Sequence, residues 1–590
     1  MNINKNPFQE YPRPQLKRDS YFNLNGKWIL NGEEILVPFP PESEASGFQG
    51  KIGSNFEYVK AFALPEEFKT ALTSENSQNR LILHFGAVDQ VATLSVDGSF
   101  VGSHHGGYLP FSFDITDYLS GNNVHEIRLQ VKDTLNHKYP YGKQRKNRGG
   151  MWYTPVSGIW QTVWMEIVPE IYVSKLKLLP STKGFELFVE TTNCQIPEEN
   201  DVFDFCMKVK VLAKSGKVYE FNSDTTQLHA ELPISDSADE FGLWSPETPN
   251  LYDFTVELYA SKKDLEEGKN PTDVVKSYFG LREIAIKKVD GKNRICLNEK
   301  PIFLHAVLDQ GYFPEGIYLP KSEDGFRADI KNMQELGINT LRKHIKIEPE
   351  IFYYECDKAG ILVMQDMVNN GSYRFFRDTV CPTFFSKQGW KKLLANKEPK
   401  TEREKIFVEH SEETLEHLFN HPSIVYYTIF NEGWGQFNAN YLYEYLKDRD
   451  SSRIFDTASG WFKNPDSDVE SDHIYFKTPT LVERAASLEK PLVVSECGGY
   501  TLKVENHVWN PKRKYGYGNC DSVKTLTDKI VAMYEKMILP AIKEGIAGCV
   551  YTQLSDVEDE INGFYTYDRE VCKVEKDKMQ EIAKRINELI

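Results

Sequence analysis

Two glutamates in the second half of the chain each stand at the end of a run of apolar residues. Glu432 closes the run that begins at Ile424, and Glu496 closes the run that begins at Leu492. A run that is apolar on both faces predicts a strand buried in a parallel sheet. Because barrel enzymes carry their reacting groups at the carboxyl ends of such strands, the two carboxylates predict a pair that cleaves glycosidic bonds.

The elements that would position this pair follow from the pattern after about residue 290. Apolar runs alternate there with helical stretches, such as the one that Asp521 or Ser522 would cap and that holds Leu526 and Ile530 four residues apart. Eight runs are predicted to be strands: Ile302–Val307, Ile338–Leu341, Ile361–Met364, Ile424–Phe430, Ile454–Phe455, His473–Phe476, Leu492–Val494 and Ile546–Tyr551. Eight strand–helix units predict a (β/α)8 TIM barrel over residues 289–590, with the two glutamates facing each other across its mouth.

Short strands dominate the first half of the chain. Leu81–Phe85 and Ala92–Val96 are examples, and the second is followed by the hairpin-turn pair Asp97-Gly98. No long helical pattern interrupts these strands. We therefore predict a jelly-roll-like β-sandwich over residues 1–170 and an immunoglobulin-like β-sandwich over residues 171–288.

Composition argues against several classes of partner. The formal net charge of −16 argues against nucleic acid or an anionic membrane. No apolar stretch has the length of a membrane span, and residues 1–20 lack the apolar segment of a secretory signal. The nine cysteines are scattered without a CxxC pair, which predicts free thiols in a reducing compartment and hence a cytoplasmic location.

Several longer motifs carry a resemblance to a known family. They are Phe22-Asn23-Leu24-Asn25-Gly26-Lys27-Trp28, Ser157–Trp164, Leu243–Tyr252, Phe279-Gly280-Leu281-Arg282, Asn431-Glu432 and Ser495–Gly499. Together they resemble the motifs of glycoside hydrolase family 2, which includes β-galactosidases, β-glucuronidases and β-mannosidases. The resemblance covers nearly the whole chain, although Cys497 stands where the family usually has Phe or Tyr.

The resemblance implies different roles for the two glutamates. Glu432 lies in the acid/base motif of the family and Glu496 in its nucleophile motif. The acid has to hold its proton near neutral pH, and an ionised nucleophile nearby opposes the second ionisation. Once the glycosyl ester has formed, that negative charge is gone and Glu432 can act as a base. The expected reaction retains the configuration of the sugar and needs no organic cofactor.

Ten further residues are predicted to bind the substrate. They are Asn431, Arg342, His344, Asp366, Asp309, Trp434, Trp461, His473, Tyr475 and Tyr551. The amide of Asn431 suits a sugar hydroxyl, and Tyr475 resembles the family tyrosine that hydrogen-bonds the nucleophile. Arg342 could orient Glu496 or form a structural pair, and Trp461 could stack on a sugar or pack in the core.

The residues around the pair depart from the pattern of the classical enzymes of this family. Asp309-Gln310 stands where they have His-Glu, and His344 lies one place early after Arg342. Asp366-Met367-Val368 replaces the Glu-x-His that helps to bind magnesium in some β-galactosidases, so we expect no metal site. The Asn-x-Lys motif that binds a glucuronate carboxylate is missing from residues 561–569. With these departures, the motifs do not identify the sugar that the pocket binds.

Two charged segments flank the predicted pocket. Residues 369–400 hold seven Lys or Arg against two acidic residues, and they could build an aglycone or anionic subsite, or form a solvated loop or an oligomer contact. The acidic run Asp556–Glu560 follows the eighth strand, and we expect it to lie on the surface.

The sequence therefore predicts a retaining exo-β-glycosidase that hydrolyses terminal β-linked sugars, with a β-galactoside as the expected substrate. One alternative is a β-uronidase that uses the 369–400 insertion. Another is a carbohydrate-binding protein without catalysis on the same scaffold. The expected partner is a small or oligomeric glycoside, not nucleic acid or a membrane, and the family resemblance is compatible with a homo-oligomer.

Overall fold

A computed structural model describes residues 7–74, 77–192, 205–235, 240–374, 397–462 and 464–590. These residues form two β-sandwiches followed by a barrel of eight parallel strands, which confirms the predicted fold class. Most of the basic insertion, residues 375–396, lies outside the described residues, so its role stays a prediction. The domain boundaries at residues 170 and 288 also stay predictions.

The first sandwich packs a six-stranded sheet against a four-stranded sheet. In spatial order the six strands are Glu33–Val37, Gly26–Leu30, Asn55–Phe62, His125–Lys132, Val91–Val96 and Ser99–His105, and the four are Phe22–Asn23, Val163–Val168, Arg80–Phe85 and Phe111–Asp114. All pairings are antiparallel, and the predicted turn at Asp97 joins two of the strands. Alternate side chains such as Leu94 and Leu129 bury one face of each strand in the shared core. A short pair, Val88–Asp89 with Gly158–Ile159, and the helix Glu66–Thr73 complete the sandwich.

The second sandwich packs a three-stranded sheet against a four-stranded sheet. The three strands are Val173–Pro180, Gly184–Thr191 and Gln227–Glu231, and the four are Val218–Ser223, Cys206–Leu212, Tyr252–Tyr259 and Asp273–Phe279. The short helix Lys262–Glu266 joins the last two of these strands. An antiparallel sheet of Ile284–Val289, Lys292–Leu297 and Lys300–Pro301 then leads into the barrel, and its Ile284 and Ile295 pack with residues of the barrel strands.

The barrel strands, called first to eighth below, are Leu304–Asp309, Thr340–Lys343, Leu362–Asp366, Ile424–Asn431, Ile454–Ser459, Glu470–Ile474, Leu492–Gly498 and Ile546–Thr552. They form one parallel sheet in the order five, four, three, two, one, eight, seven, six. The main helices are Asp324–Glu335, Glu350–Ala359, Glu402–Leu418, Ala439–Arg449, Val482–Ala486, Val523–Met533 and Lys576–Leu589. Every predicted run coincides at least in part with a strand, although the sixth strand begins three residues before the run.

Two predicted helix ends are confirmed. Ser522 is the N-cap of the helix Val523–Met533, where its hydroxyl accepts from the backbone N–H of Thr525. The sequence Asn420-His421-Pro422 predicts the end of the helix before the fourth strand, and that helix ends at Leu418. These local signals are reliable because capping residues form hydrogen bonds with the backbone groups that a helix end leaves unpaired.

The expectation that Asp556–Glu560 lies on the surface is wrong. No residue of this run is more than 4% exposed. Arg148 of the first sandwich pairs with Glu558 at 3.1 Å, and Lys573 pairs with Asp556. The run is buried because cations and a loop from another domain cover it.

The seven cysteines within the described ranges are free thiols, in agreement with the prediction. None of the helices in those ranges is long and apolar enough to cross a bilayer.

Candidate active site

The two predicted glutamates lie together at the mouth of the barrel. Glu496 belongs to the seventh strand and Glu432 directly follows the fourth, so both are at carboxyl ends. One carboxylate oxygen of Glu432 and one of Glu496 lie within 4.8 Å of each other. The Glu496 side chain is 7% exposed and that of Glu432 is 21% exposed, so Glu496 is the deeper of the two.

His473 of the sixth strand lies between the two carboxylates. Its Nδ1 is 2.8 Å from Oε1 of Glu432 and 3.6 Å from Oε2 of Glu496. Its Nε2 lies 3.0 Å from the hydroxyl of Ser459, which in turn donates to Ser495 at 2.8 Å. Burial lowers the pKa of His473, but the two carboxylates raise it by more, so the pKa lies above its ordinary value.

Arg342 of the second strand lies fully buried beneath Glu496. Its Nη1 donates to Oε1 of Glu496 at 3.1 Å, and its Nη2 donates to the amide oxygen of Asn431 at 2.9 Å. Its Nε donates to Asp366 at 3.1 Å, and Nδ1 of His344 lies 2.7 Å from the other oxygen of that carboxylate. This network fixes the orientation of both the nucleophile candidate and the amide beside the acid candidate.

Glu496 is held as an ionised carboxylate. Burial raises its pKa, but the charges of His473 and Arg342 lower it by more, to about 2. The hydroxyl of Tyr475 donates to Oε2 at 2.5 Å and also lies 3.0 Å from the hydroxyl of Thr552. An oriented carboxylate that stays ionised at neutral pH is suited to nucleophilic attack.

A segment of the first sandwich reaches over the barrel mouth and lines the same pocket. Lys143 and Trp152 belong to it. The Trp152 ring centroid lies 4.8 Å from that of Trp434 and 5.0 Å from that of Tyr373, so three aromatic rings from two domains meet here. Sequence reasoning missed this segment, whose only signal was a cluster of Lys, Arg, Gly and Trp between residues 143 and 152.

Two further polar residues line the pocket without having been predicted. The Nε2 atom of Gln310 is buried and has no hydrogen-bond partner among the described residues. Glu560 accepts from the hydroxyl of Tyr153 and, at 2.9 Å, from the amide of Asn562. Burial raises the pKa of Glu560 by more than Lys143 lowers it. Both residues can pair with sugar hydroxyls.

Most of the predicted site residues come together. Those that line the pocket are His344, Asn431, Glu432, Trp434, Tyr475 and Glu496. Arg342, Asp366 and His473 lie directly behind this lining and hydrogen-bond to it. The roles of all nine in binding or catalysis stay predictions.

The structure does not bring the other three predicted residues to the pocket lining. Asp309 accepts from the buried ammonium group of Lys343 at 2.6 Å, because a lysine inside the barrel needs a counter-charge. The Tyr551 ring stacks on Phe564 with centroids 4.4 Å apart, within the core. Trp461 is half-buried, with its ring centroid 6.3 Å from that of His473.

Two groups of side chains in the described ranges bring three metal-ligating atoms within 4.8 Å of one another: Glu432, His473 and Glu496, and separately His507, Asp568 and Glu570. In each group the histidine Nδ1 lies 2.8 Å from a carboxylate oxygen, so a hydrogen bond accounts for the approach. Asp366, which stands in place of a magnesium ligand, is engaged by Arg342 and His344. The expectation of a metal-free enzyme stays a prediction.

A (β/α)8 barrel that carries two carboxylates at the ends of its fourth and seventh strands defines a protein of the glycoside hydrolase class. Family models support this assignment over most of the chain. "Glycosyl hydrolases family 2, TIM barrel domain" matches residues 288–565, "Glycosyl hydrolase 2 galactose-binding domain-like" matches residues 41–158, and "Glycosyl hydrolases family 2" matches residues 192–282. The chain belongs to glycoside hydrolase family 2, which confirms the resemblance seen in the sequence.

Curated relatives include two kinds of enzyme. The chain is 28% identical over 320 residues to a β-galactosidase of Thermoanaerobacter pseudethanolicus, a match that covers 52% of this chain and 39% of the relative. It is 24% identical over 510 residues to a β-galactosidase of Priestia megaterium, covering 83% of this chain and 43% of the relative. A putative β-glucuronidase of Formosa agariphila is 24% identical over 440 residues, covering 73% and 36%. The chain thus spans about two fifths of the length of these relatives.

Solved structures share the fold at low sequence identity. A β-D-glucuronidase structure from Dictyoglomus thermophilum superposes with a TM-score of 0.71 at 16% identity, covering 98% of each chain. The apo structure of a Ruminococcus gnavus β-glucuronidase gives a TM-score of 0.70 at 18% identity, covering 98% of this chain and 100% of that one. At these identities the similarity establishes the fold alone.

Proposed function

We propose that the protein is a retaining exo-β-glycosidase. The observation that carries the proposal is that oxygens of Glu432 and Glu496 lie within 4.8 Å of each other. Retaining glycosidases place their two carboxyl groups about 5–5.5 Å apart, whereas inverting enzymes separate them by about 6.5–9.5 Å to admit a water. The short separation supports a double displacement.

In the first step Glu496 attacks the anomeric carbon. A carboxylate oxygen forms a bond to that carbon, the bond to the leaving oxygen breaks, and Glu432 gives its proton to the leaving oxygen. In the second step Glu432 takes a proton from water, the water oxygen bonds to the same carbon, and Glu496 is released. The two inversions together retain the β configuration.

His473 supports the proton-transfer role of Glu432. The 2.8 Å contact from Nδ1 to Oε1 lets one proton be shared between the imidazole and the carboxylate. The ionised Glu496, whose Oε2 is 3.6 Å from the same nitrogen, opposes loss of that proton from the pair. The contact therefore places a shared proton beside the expected position of the leaving oxygen.

The covering segment of the first sandwich supports exo action. Lys143 and Trp152 lie over the mouth that holds Glu432 and Glu496. A pocket covered by a second domain accepts the end of a sugar chain better than its middle. The packing of the first sandwich on the barrel is therefore part of the proposed site.

A β-galactoside is the expected substrate, and the names of several curated relatives agree with it. The β-uronidase alternative gains one specific observation, the position of Lys143. Within the described residues this ammonium group has no hydrogen bond or ion pair, and it is the one Lys or Arg of the pocket lining. It can pair with a carboxylate on the sugar and so take the place of the missing Asn-x-Lys motif.

The mechanism is tested by trapping the glycosyl ester. Wild-type protein treated with activated 2-deoxy-2-fluoro-β-galactoside and the matching β-glucuronide should gain one sugar on the peptide that contains Glu496. Glu496→Ala should lose hydrolysis by about 10⁴-fold or more, while the surface control Glu489→Ala should match the wild type. Early release of the α-anomer, seen by proton NMR, would contradict retention. No hydrolysis of any aryl glycoside would favour the carbohydrate-binding alternative.

The sugar is tested by comparing Lys143→Met with Lys146→Met, a change at an exposed lysine of the same segment. If the substrate is a uronide, Lys143→Met should reduce kcat/KM for an aryl β-glucuronide by at least about tenfold and leave an aryl β-galactoside unchanged. If the substrate is a galactoside, the wild type should have the higher kcat/KM for the aryl β-galactoside. Neither variant should then show a loss confined to the aryl β-glucuronide.

A further inference from the structure

Phe476 is the most exposed large apolar side chain of the described residues. It is 82% exposed, and the next, Phe100, is 63% exposed. A single exposed apolar residue is ordinary on a protein surface. Phe476 differs because of its backbone conformation and its position beside the pocket.

The backbone holds Phe476 in a strained turn directly after the sixth strand. Its φ is +60°, and the N–H of Lys477 donates to the carbonyl oxygen of Tyr475 at 2.6 Å, so the turn closes over three residues. A positive φ at a residue with a side chain costs about 1–2 kcal/mol. The strain is not offset by burial of the ring, which stays in solvent. Strain kept in this way is typical of functional positions.

A line of aromatic rings joins Phe476 to the nucleophile candidate. The Phe476 ring lies 4.9 Å from that of Tyr517 at an angle of 84°, and Tyr517 lies 4.3 Å from Tyr475. Tyr517 and Tyr475 line the pocket, and Tyr475 donates to Glu496. Because Phe476 makes a perpendicular contact and stays exposed, at least one face of its ring is open at the rim of the pocket.

The strand end that carries Phe476 also reaches the acid candidate. His473, three residues before Phe476, contacts Oε1 of Glu432 at 2.8 Å, and Glu432 and Tyr517 line the same pocket. Glu432 is the residue proposed to protonate the leaving oxygen, so the leaving group has to depart on its side of the sugar. Phe476 therefore stands where a leaving group would emerge.

We propose that Phe476 is a stacking platform for the leaving-group sugar and that the natural substrate is an oligosaccharide. A pyranose ring has a face of C–H groups that packs well against an aromatic face. A leaving group such as methanol would not reach the platform. The inference rests on the proposed glycosidase function and adds the class of the leaving group to it.

The test compares two leaving groups on one sugar. For galactose the substrates are lactose and methyl β-galactoside, and for glucuronate they are a β-glucuronosyl disaccharide and methyl β-glucuronide. Phe476→Ala should lower kcat/KM for the disaccharide by about tenfold, mainly through KM, and change the methyl glycoside by less than twofold. Phe476→Tyr should restore the disaccharide rate, and Phe100→Ala should change neither.

Each other outcome overturns the platform. Equal losses on both substrates would assign Phe476 to the structure of the site, and no loss would make it an ordinary surface residue. A loss confined to a 4-nitrophenyl glycoside of the same sugar would show that the platform takes aromatic groups and not sugars. Failure of the wild type to hydrolyse any of these substrates, or to form an ester on Glu496, would instead overturn the proposed function.

Discussion

The imidazole of His473 contacts the carboxylate of Glu432, with Nδ1 2.8 Å from Oε1. The other ring nitrogen lies 3.0 Å from the hydroxyl of Ser459, so the ring is fixed from both ends. Because the first nitrogen also lies 3.6 Å from Glu496, one titratable group acts on both carboxylates of the proposed mechanism. Burial raises the pKa of Glu496, and the charge of His473 is the largest of the effects that lower it.

Replacement of His473 should therefore change the pH dependence of hydrolysis. In His473→Asn the pKa of Glu496 should rise from about 2, because a neutral amide cannot stabilise the carboxylate as a cation does. The reaction needs ionised Glu496 in the free enzyme, so the acid limb of kcat/KM should move to higher pH by about one unit or more. A pH profile on an aryl glycoside measures this shift.

The control for this prediction is His507→Asn. His507 makes a similar contact, 2.8 Å from Asp568, but it does not line the pocket. Its replacement should leave the acid limb in place. An unmoved limb in His473→Asn would mean that the other positive charges near Glu496, such as Arg342, are enough to keep it ionised.

Tyr475→Phe should reduce turnover. The phenol donates to Oε2 of Glu496 at 2.5 Å, and the Phe ring fills the same space without the donor. A hydrogen bond to a charged group contributes about 1.5–3 kcal/mol, so kcat should fall by about 10- to 100-fold. Thr552→Val removes the other partner of the phenol, at 3.0 Å, and should change kcat much less. Equal effects of the two changes would show that the phenol acts only through Thr552.

The sequence was sufficient to predict the barrel and the proposed catalytic pair, because both depend on local patterns. Apolar runs such as Ile424–Phe430 mark buried strands wherever they occur, and the carboxylate that ends each run is visible in the chain. The predicted sixth strand starts three residues too late, because the strand begins with the polar residues Glu470, Ser471 and Asp472. Polar residues at a strand start give no apolar signal.

The parts that could not be predicted depend on contacts between distant segments. Lys143 and Trp152 reach the barrel from another domain, and no periodicity in the chain reports such a contact. Asp309 stands at a strand end like the two glutamates of the proposed mechanism, but it pairs with the buried ammonium group of Lys343 on the neighbouring strand. Glu560 belongs to an acidic run of a kind that is usually solvated, and its burial depends on groups far away in sequence, such as Tyr153.

Glu350 should make the protein less stable as pH rises. Burial at the start of the helix Glu350–Ala359 raises its pKa to about 7, by more than His421 and Arg13 lower it. The folded state then binds this proton more tightly than the unfolded state, whose carboxyl titrates near its ordinary value. Stability from this group is therefore complete below about pH 4.5 and is lost as pH rises through about 7.

Glu350→Gln removes that dependence. Relative to the wild type, the variant should gain up to about 3 kcal/mol between pH 5 and pH 8, seen as a Tm difference that grows in favour of the variant. Glu402→Gln changes an exposed carboxylate and should show no such trend. A Tm difference that is the same at both pH values would mean that Glu350 is ionised throughout.

Gly499→Ala should damage the site through Tyr517. Gly499 has a φ of +69°, and a Cβ atom there would lie 2.6 Å from the ring of Tyr517, closer than any carbon contact allows. Tyr517 cannot move away freely, because its N–H donates to the carbonyl of Gly499 at 2.7 Å. Since Tyr517 lines the pocket, we expect kcat/KM to fall by about tenfold or more, as a misplacement of about 1 Å is costly in catalysis.

Gly268→Ala separates the steric effect from the backbone effect. Gly268 has almost the same φ, +68°, but a Cβ atom there would meet nothing within 4 Å. Both variants bear the cost of a left-handed alanine, about 1 kcal/mol, so both should lose some Tm. Only Gly499→Ala should also lose activity. Adding Tyr517→Ala to Gly499→Ala should relieve the clash, and the double variant should recover part of the lost Tm. Equal activities of Gly499→Ala and Gly268→Ala would show that the position of the Tyr517 ring does not matter to the reaction.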